Sequence, residues 1–122
     1  MTDKPFLQTA SGLKYRILRA GDGRTKANNA SSVTVHYKGW LPAGADGSQG
    51  REFDSSYKRG EPISFQLNGV IKGWTEGMQL VTKGGMIELE IPSELGYGAQ
   101  GSPGSIPPNA TLRFIVELLD VK

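Results

Sequence analysis

A chain of 122 residues has the length of one domain, enough for a real core and too little for two comfortable ones. Its 14 Lys and Arg against 12 Asp and Glu leave a net charge of +2, with no basic block or stripe, which argues against nucleic acid as a partner. Cysteine is absent and histidine occurs once, which excludes disulfides, thiolate metal sites and cysteine nucleophiles and weakens any zinc proposal.

No run of about 18 apolar residues is available to span a membrane. The N-terminus lacks the apolar stretch of a signal peptide, so the chain as written is expected in the cytoplasm, or in the periplasm or outside the cell if a leader has been removed. The 17 glycines and 7 prolines fall largely in turn-like segments, the punctuation of a strand-rich domain.

Residues 1–10 read as a polar lead-in. A first strand is expected after Ser11-Gly12, where Leu13, Tyr15 and Ile17 alternate with Lys14 and Arg16. It ends at the turn signal Gly21-Asp22-Gly23. The clearest strand is Val33 to Tyr37, with Val33, Val35 and Tyr37 on one face and His36 on the other, where a histidine usually serves as a surface or hydrogen-bonding residue. Leu41 to Gly50 is small and polar and reads as a long hairpin connection. Short strands follow at Arg51 to Ser56 and at Glu61 to Leu67, where Ile63, Phe65 and Leu67 are in phase.

Asn68 reads as the N-cap of a helix, and Val70, Ile71, Trp74, Met78 and Val81 follow at near-helical spacing up to Gly84-Gly85. Gly73 and Gly77 lie four apart inside it, each costing about 1 kcal/mol relative to alanine, so a close approach to a sheet is expected there. Met86 to Ile91 alternates as a half-buried antiparallel strand, Pro92 to Leu95 suits one helical turn, and Thr111 to Leu119 is the last strand. The layer solution that buries both apolar faces is an α+β fold, a curved antiparallel sheet of five to six strands wrapped around one short helix.

Several familiar patterns fail on context. Gly96, Gly98 and Gly101 spell the dinucleotide fingerprint, yet Pro103, Pro107 and Pro108 prevent the helix that should follow. No nucleophile elbow, zinc-protease motif or Walker lysine is present, so covalent and metal catalysis have no visible equipment.

What the chain does carry, in order, is V-T-V-H-Y-K-G at Val33, F-D-S-S at Phe53, V-I-K-G-W at Val70, I-P-S-E-L-G-Y-G at Ile91 and I-P-P-N-A-T-L-R-F-I-V-E-L-L at Ile106. This succession resembles the FK506-binding-protein type of peptidyl-prolyl cis-trans isomerase over residues 11–122, and S-G-L-K-Y-R-I-L at Ser11 resembles its bacterial macrophage-infectivity-potentiator branch. The resemblance implies a prolyl pocket between helix and sheet. Trp74 would be its floor and Tyr37, Phe53, Ile63, Val70, Ile71, Tyr97, Ile106 and Phe114 its walls. The Tyr97 hydroxyl and the Ile71 N–H would donate to substrate carbonyls, and Asp54 would be a buried polar group held by Tyr37 and Arg59. It further implies an enzyme without cofactor or metal, acting on proline-containing peptides and unfolded protein clients, with macrolides of the FK506 and rapamycin class as further ligands. A proline-binding or folding-helper module of the same fold, with little turnover, is the rival.

This sequence also departs from the family pattern. The segment between Trp40 and Phe53 is longer than the usual hairpin, Leu67 to Val70 is short, Ile63 stands where an aromatic wall is common, and Ser102 and Ser105 occupy positions of larger residues. A weaker apolar grip on one side is expected. The dimerising helices of the infectivity-potentiator branch are absent from this stretch, and a monomer is expected.

Overall fold

The computed structural model describes residues 5–43, 48–104 and 106–122. Its strands are β1 (Leu7–Gln8), β2 (Lys14–Arg19), β3 (Ser32–Ala43), β4 (Ser48–Ser55), β5 (Ile63–Gln66), β6 (Met86–Ile91) and β7 (Leu112–Val121); the helices are α1 (Ser56–Arg59) and α2 (Lys72–Gly77). All strand pairings are antiparallel, in the order β1-β2-β6-β7-β3-β4, with β5 pairing β3 beside β4.

The alternation read from the sequence sets the two faces of this sheet. Val33, Val35, Ile87, Leu89, Ile91, Leu112, Phe114, Val116 and Leu118 are buried in one cluster with Trp74, Met78 and Val81 from the segment that lies across it. Helix α2 seats directly on β6. A Cβ on Gly73 would stand 2.6 Å from Ile91, and one on Gly77 would stand 2.8 Å from Leu89, so only glycine permits this approach. The expected role of the two glycines holds.

The helix is shorter than its apolar spacing suggests, and Asn68 does not cap it. Leu67–Gly69 forms a single 3-10 turn, Val70 is extended, and Ile71 is the N-cap without a side-chain bond. After Gly77 the chain continues in tight turns, Gln79 N–H to Glu76 and Leu80 N–H to Gly77, which keep Met78 and Val81 facing the core without helical continuation. Periodicity does not separate the two cases, since both turn types bring every third or fourth residue to one side.

Two other segments are more ordered than their composition implies. Within the lead-in, Leu7 and Gln8 pair with Tyr15 and Lys14, and the Phe6 ring lies between the guanidinium groups of Arg16 and Arg113, at 4.3 and 4.7 Å. In the expected hairpin connection, β3 runs on to Ala43 and β4 starts at Ser48, with Pro42 opposite Gln49; residues 44–47 lie outside the described residues. An edge strand needs only backbone partners along one side, so polar and small residues do not prevent pairing there.

Candidate functional site

The site begins with a break in the strand rhythm. Gly39 pairs with Asp54 and Trp40 with Glu52, so Phe53 is an extra residue in β4. Successive residues of a regular strand point to opposite faces; across this bulge, Phe53 and Asp54 both line the same cavity. Gly39 makes the space opposite, since a Cβ there would fall within 2.8 Å of the rings of Phe53 and Phe114, which meet edge to face at 5.5 Å.

That cavity has a volume of about 550 Å³ and opens between α2 and the concave side of the sheet. Trp74 is at its centre, and the rings of Tyr37, Phe65 and Phe114 meet the indole edge to face at 5.2, 5.5 and 5.4 Å. Val70 and Ile71 lead into α2, while Tyr97, Ser102 and Ile106 arrive from the loop between β6 and β7. This loop is closed on itself by paired backbone bonds between Ser102 and Ile106, both 2.8 Å, and by Asn109 N–H to the Gly98 carbonyl. No helix follows its glycines, so it presents side chains rather than a phosphate cradle.

Of the residues expected from sequence, Tyr37, Phe53, Asp54, Val70, Ile71, Trp74, Tyr97, Ile106 and Phe114 line the cavity together. Ile63 does not. It lies farther along the same face of β5, is 36% exposed, and is replaced in the wall by Phe65. Phe65 was in phase with Ile63 and Leu67 in the sequence, which was the available signal. Ser102 does stand in the wall as a small residue; Ser105 lies outside the described residues.

Asp54 is less buried than expected, with 38% of its side chain exposed. The Tyr37 hydroxyl donates to one carboxylate oxygen, and Arg59 donates to the other at 2.5 Å and to the Tyr37 oxygen at 3.2 Å. Desolvation pushes the Asp54 carboxyl up, but the bonds from Tyr37 and Arg59 outweigh it and hold the group below its usual range. Burial, and then the bond to Asp54, push the Tyr37 phenol up. Arg59 itself lies outside the cavity wall and serves as the third corner of this triangle.

The short helix α1 aims Arg59, and its anchor is Ser56. Strand β5 pairs with β3 through Val35 and β4 pairs from Lys38 onward, leaving His36 and Tyr37 between the two partners. The buried Ser56 hydroxyl fills this gap, accepting from the Tyr37 N–H at 2.7 Å and donating to the Tyr37 carbonyl at 3.3 Å. One side chain thus stands in for a rung of the sheet beneath a cavity residue. Helix α1 was not anticipated from sequence. Its signals were Ser55, which caps the Lys58 N–H, and Gly60, left-handed at φ 79°.

Beside the Ser102 hydroxyl, two donors on the cavity residues are unused among the described residues. The Tyr97 hydroxyl, on a residue 42% exposed, has no hydrogen-bond partner, and the Ile71 N–H has none either; the Ile71 carbonyl is taken by Trp74 and Thr75. An apolar cup with spare donors can hold a carbonyl-bearing, largely apolar guest and change its conformational preferences. No histidine or cysteine is among its lining residues. No group of three or more His, Asp or Glu suited to a metal occurs among the described residues, and no described helix is long and apolar enough to cross a membrane.

Comparison with known proteins agrees with this geometry. Residues 23–119 match the model of the FKBP-type peptidyl-prolyl cis-trans isomerase family. The chain is 57% identical over 118 residues to a probable FKBP-type peptidyl-prolyl cis-trans isomerase of Haemophilus influenzae, covering 97% of this chain and 46% of that protein. It is 46% identical over 121 residues to the peptidyl-prolyl cis-trans isomerase Mip of Coxiella burnetii, covering 98% of this chain and 50% of that one. The crystal structure of FkpA from Escherichia coli superimposes with a TM-score of 0.85 at 51% identity, over 98% of this chain and 53% of that one. The chain therefore spans about half the length of the curated relatives it matches. With the fold, the cavity and the family model in agreement, the chain belongs to the FKBP-type peptidyl-prolyl cis-trans isomerases.

Proposed function

We propose that this domain accelerates rotation about X-Pro peptide bonds in proline-containing peptides and unfolded protein clients, without cofactor and without a covalent intermediate. The observation that carries this reading is the aromatic cavity around Trp74 with two donors, the Tyr97 hydroxyl and the Ile71 N–H, that have no acceptor among the described residues.

Rotation about the bond must break amide resonance, a barrier of about 18–20 kcal/mol, and takes tens to hundreds of seconds unaided. In the twisted state carbonyl and nitrogen are no longer conjugated, so the group is less dipolar than the planar amide. An apolar cup therefore disfavours the planar ground state more than the twisted one. The Tyr97 hydroxyl and the Ile71 N–H hold substrate carbonyls, which fixes the chain on either side of the turning bond. Asp54 holds Tyr37 and Arg59 in place and tunes local polarity; it takes no proton. Macrolides of the FK506 and rapamycin class occupy the same cup, held less firmly on the side where Ser102 replaces a larger residue.

Exchange spectroscopy on an X-Pro peptide tests the reading. Wild type should speed exchange far above buffer, and Tyr97→Phe and Trp74→Leu should each slow it. Binding without faster exchange would leave a proline-binding module instead. Acceleration that neither substitution touches would put the chemistry elsewhere.

The pH profile separates this mechanism from proton transfer. The Asp54 carboxyl is held below the ordinary carboxylate range by Tyr37 and Arg59 and keeps its charge, and the Tyr37 phenol is pushed above the ordinary phenol range by burial and keeps its proton. Turnover should be level between about pH 5 and 9 instead of bell-shaped. The stability contributed by the depressed Asp54 carboxyl is present above the ordinary aspartate value and is lost as the pH falls through the lower folded value.

A further inference from the structure

A second cavity of about 610 Å³ lies on the solvent side of α2, lined by Asn29, Asn68, Val70, Lys72, Thr75, Glu76 and Gln79. Val70 belongs to both cavities, so the aromatic cup and this groove share a wall and meet across one side chain. Much of its surface is the apolar stems of these side chains, and the polar groups they carry differ in how far they are already engaged. Thr75 is turned inward to the Leu67 carbonyl, and the Glu76 carboxylate accepts from Ser11 at 2.5 Å. The Gln79 amide donates to Asn29 Oδ1 at 2.7 Å and to the Thr75 carbonyl at 2.8 Å. These bonds fix the Asn29 and Gln79 carboxamides together. They leave the Asn29 amide nitrogen as a donor and the Gln79 amide oxygen as an acceptor, both without further partners among the described residues. Lys72 and the Asn68 side chain likewise have no partner there.

We infer that this groove is an extended subsite for the substrate polypeptide flanking the proline, reading its backbone through the Asn29–Gln79 carboxamide pair and favouring an acidic side chain near Lys72. The inference rests on the proposed prolyl cup. A chain leaving that cup over Val70 enters the groove, where the spare donor and the spare acceptor are the complements of a backbone carbonyl and a backbone N–H. Helix α2 is about 9 Å long. Three extended residues, at about 3.3 Å each, cover that length, so the groove suits the third or fourth residue from the proline. Glu76 keeps its charge beneath the Ser11 hydroxyl, while the Lys72 ammonium forms no ion pair among the described residues and is the group an incoming carboxylate can bind directly. The preference rests on charge at an exposed rim, so it weakens in high salt.

The test compares a four-residue X-Pro peptide with peptides extended by four residues on either side of that core, the extension carrying glutamate or lysine. Turnover is followed in wild type, in Lys72→Glu and in the double variant Asn29→Ala, Gln79→Ala. One glutamate extension should raise kcat/KM by about threefold over the short peptide, the scale of an exposed ion pair. Lys72→Glu should invert the order of the glutamate and lysine peptides, and the double variant should lose the gain from extension while turning over the short peptide as before. No gain from either extension, or a gain that survives all the substitutions, overturns the inference. Failure of wild type on the short peptide as well would sink the cup, not the groove. In that case titration of the extended peptide against the Asn29 and Gln79 side-chain amide resonances decides the groove alone, with shifts supporting it and silence refuting it.

Discussion

The two faces of the sheet are built from the same strands, residue by alternate residue, and they spend their polar groups in opposite ways. On the convex face the described carboxylates are held by cations of the same chain. Glu88, 5% exposed, is held by Arg16 at 2.8 Å and by Arg113 at 3.5 Å; Arg113 also reaches Glu90 at 2.9 Å, and Arg19 and Tyr57 share Glu117 at 2.7 and 3.1 Å. On the concave face the rings enclose a space and two donors stay open. A surface whose carboxylates are already held by its own cations gains little from a guest. One with donors facing an apolar hollow loses least when a guest supplies the acceptors.

That contrast can be broken most severely at the contact between α2 and β6. Gly77→Leu would drive a side chain into Leu89 and should cost about 3 kcal/mol or more, read as a fall in Tm, with the cup disturbed along with the fold. Unchanged stability would mean the helix does not need its close seat. Ser56→Ala removes the hydroxyl that completes β3 beneath Tyr37, leaving a buried N–H without an acceptor. About 2 kcal/mol of denaturant stability should go, and turnover should fall because Tyr37 and Arg59 lose their shared anchor. The mildest test is on the convex side. Lys14, about half exposed and 3.8 Å from Glu90, should change stability by no more than about 0.5 kcal/mol on Lys14→Ala and leave turnover as it was. A large effect there would erase the distinction between a self-satisfied face and a receptive one.

How much of this was legible in the sequence depends on the range over which each feature is determined. The strand faces were readable because alternation is a local consequence of the pleat, as Ile87, Leu89 and Ile91 against Glu88 and Glu90 show. The site residues came mainly from the ordered motifs and not from periodicity, which alone would have left Tyr37 and Phe114 as core aromatics. What escaped was decided by partners distant in sequence. Phe65 rather than Ile63 enters the wall because of where β5 ends against β3. Asp54 is only partly buried because the bulge carries it to the rim. Helix α1, four residues long, has too few turns to show a period, and Asn68 was a sound cap in composition for a turn that proved too tight to begin a helix.

The extra residue at Phe53 has an effect beyond the two side chains it aims. Strand β4 is slipped by one residue there and again between Trp40 and Pro42, so the part bearing Asp54 and the part leading to the hairpin tip pair with β3 in separate registers. An odd insertion toward the tip would reverse in and out only on its own side of the slip, with Asp54 still facing Gly39. Phe53 therefore acts as a joint in the numbering of the strand, across which the hairpin can be rewritten while the cup is copied unchanged.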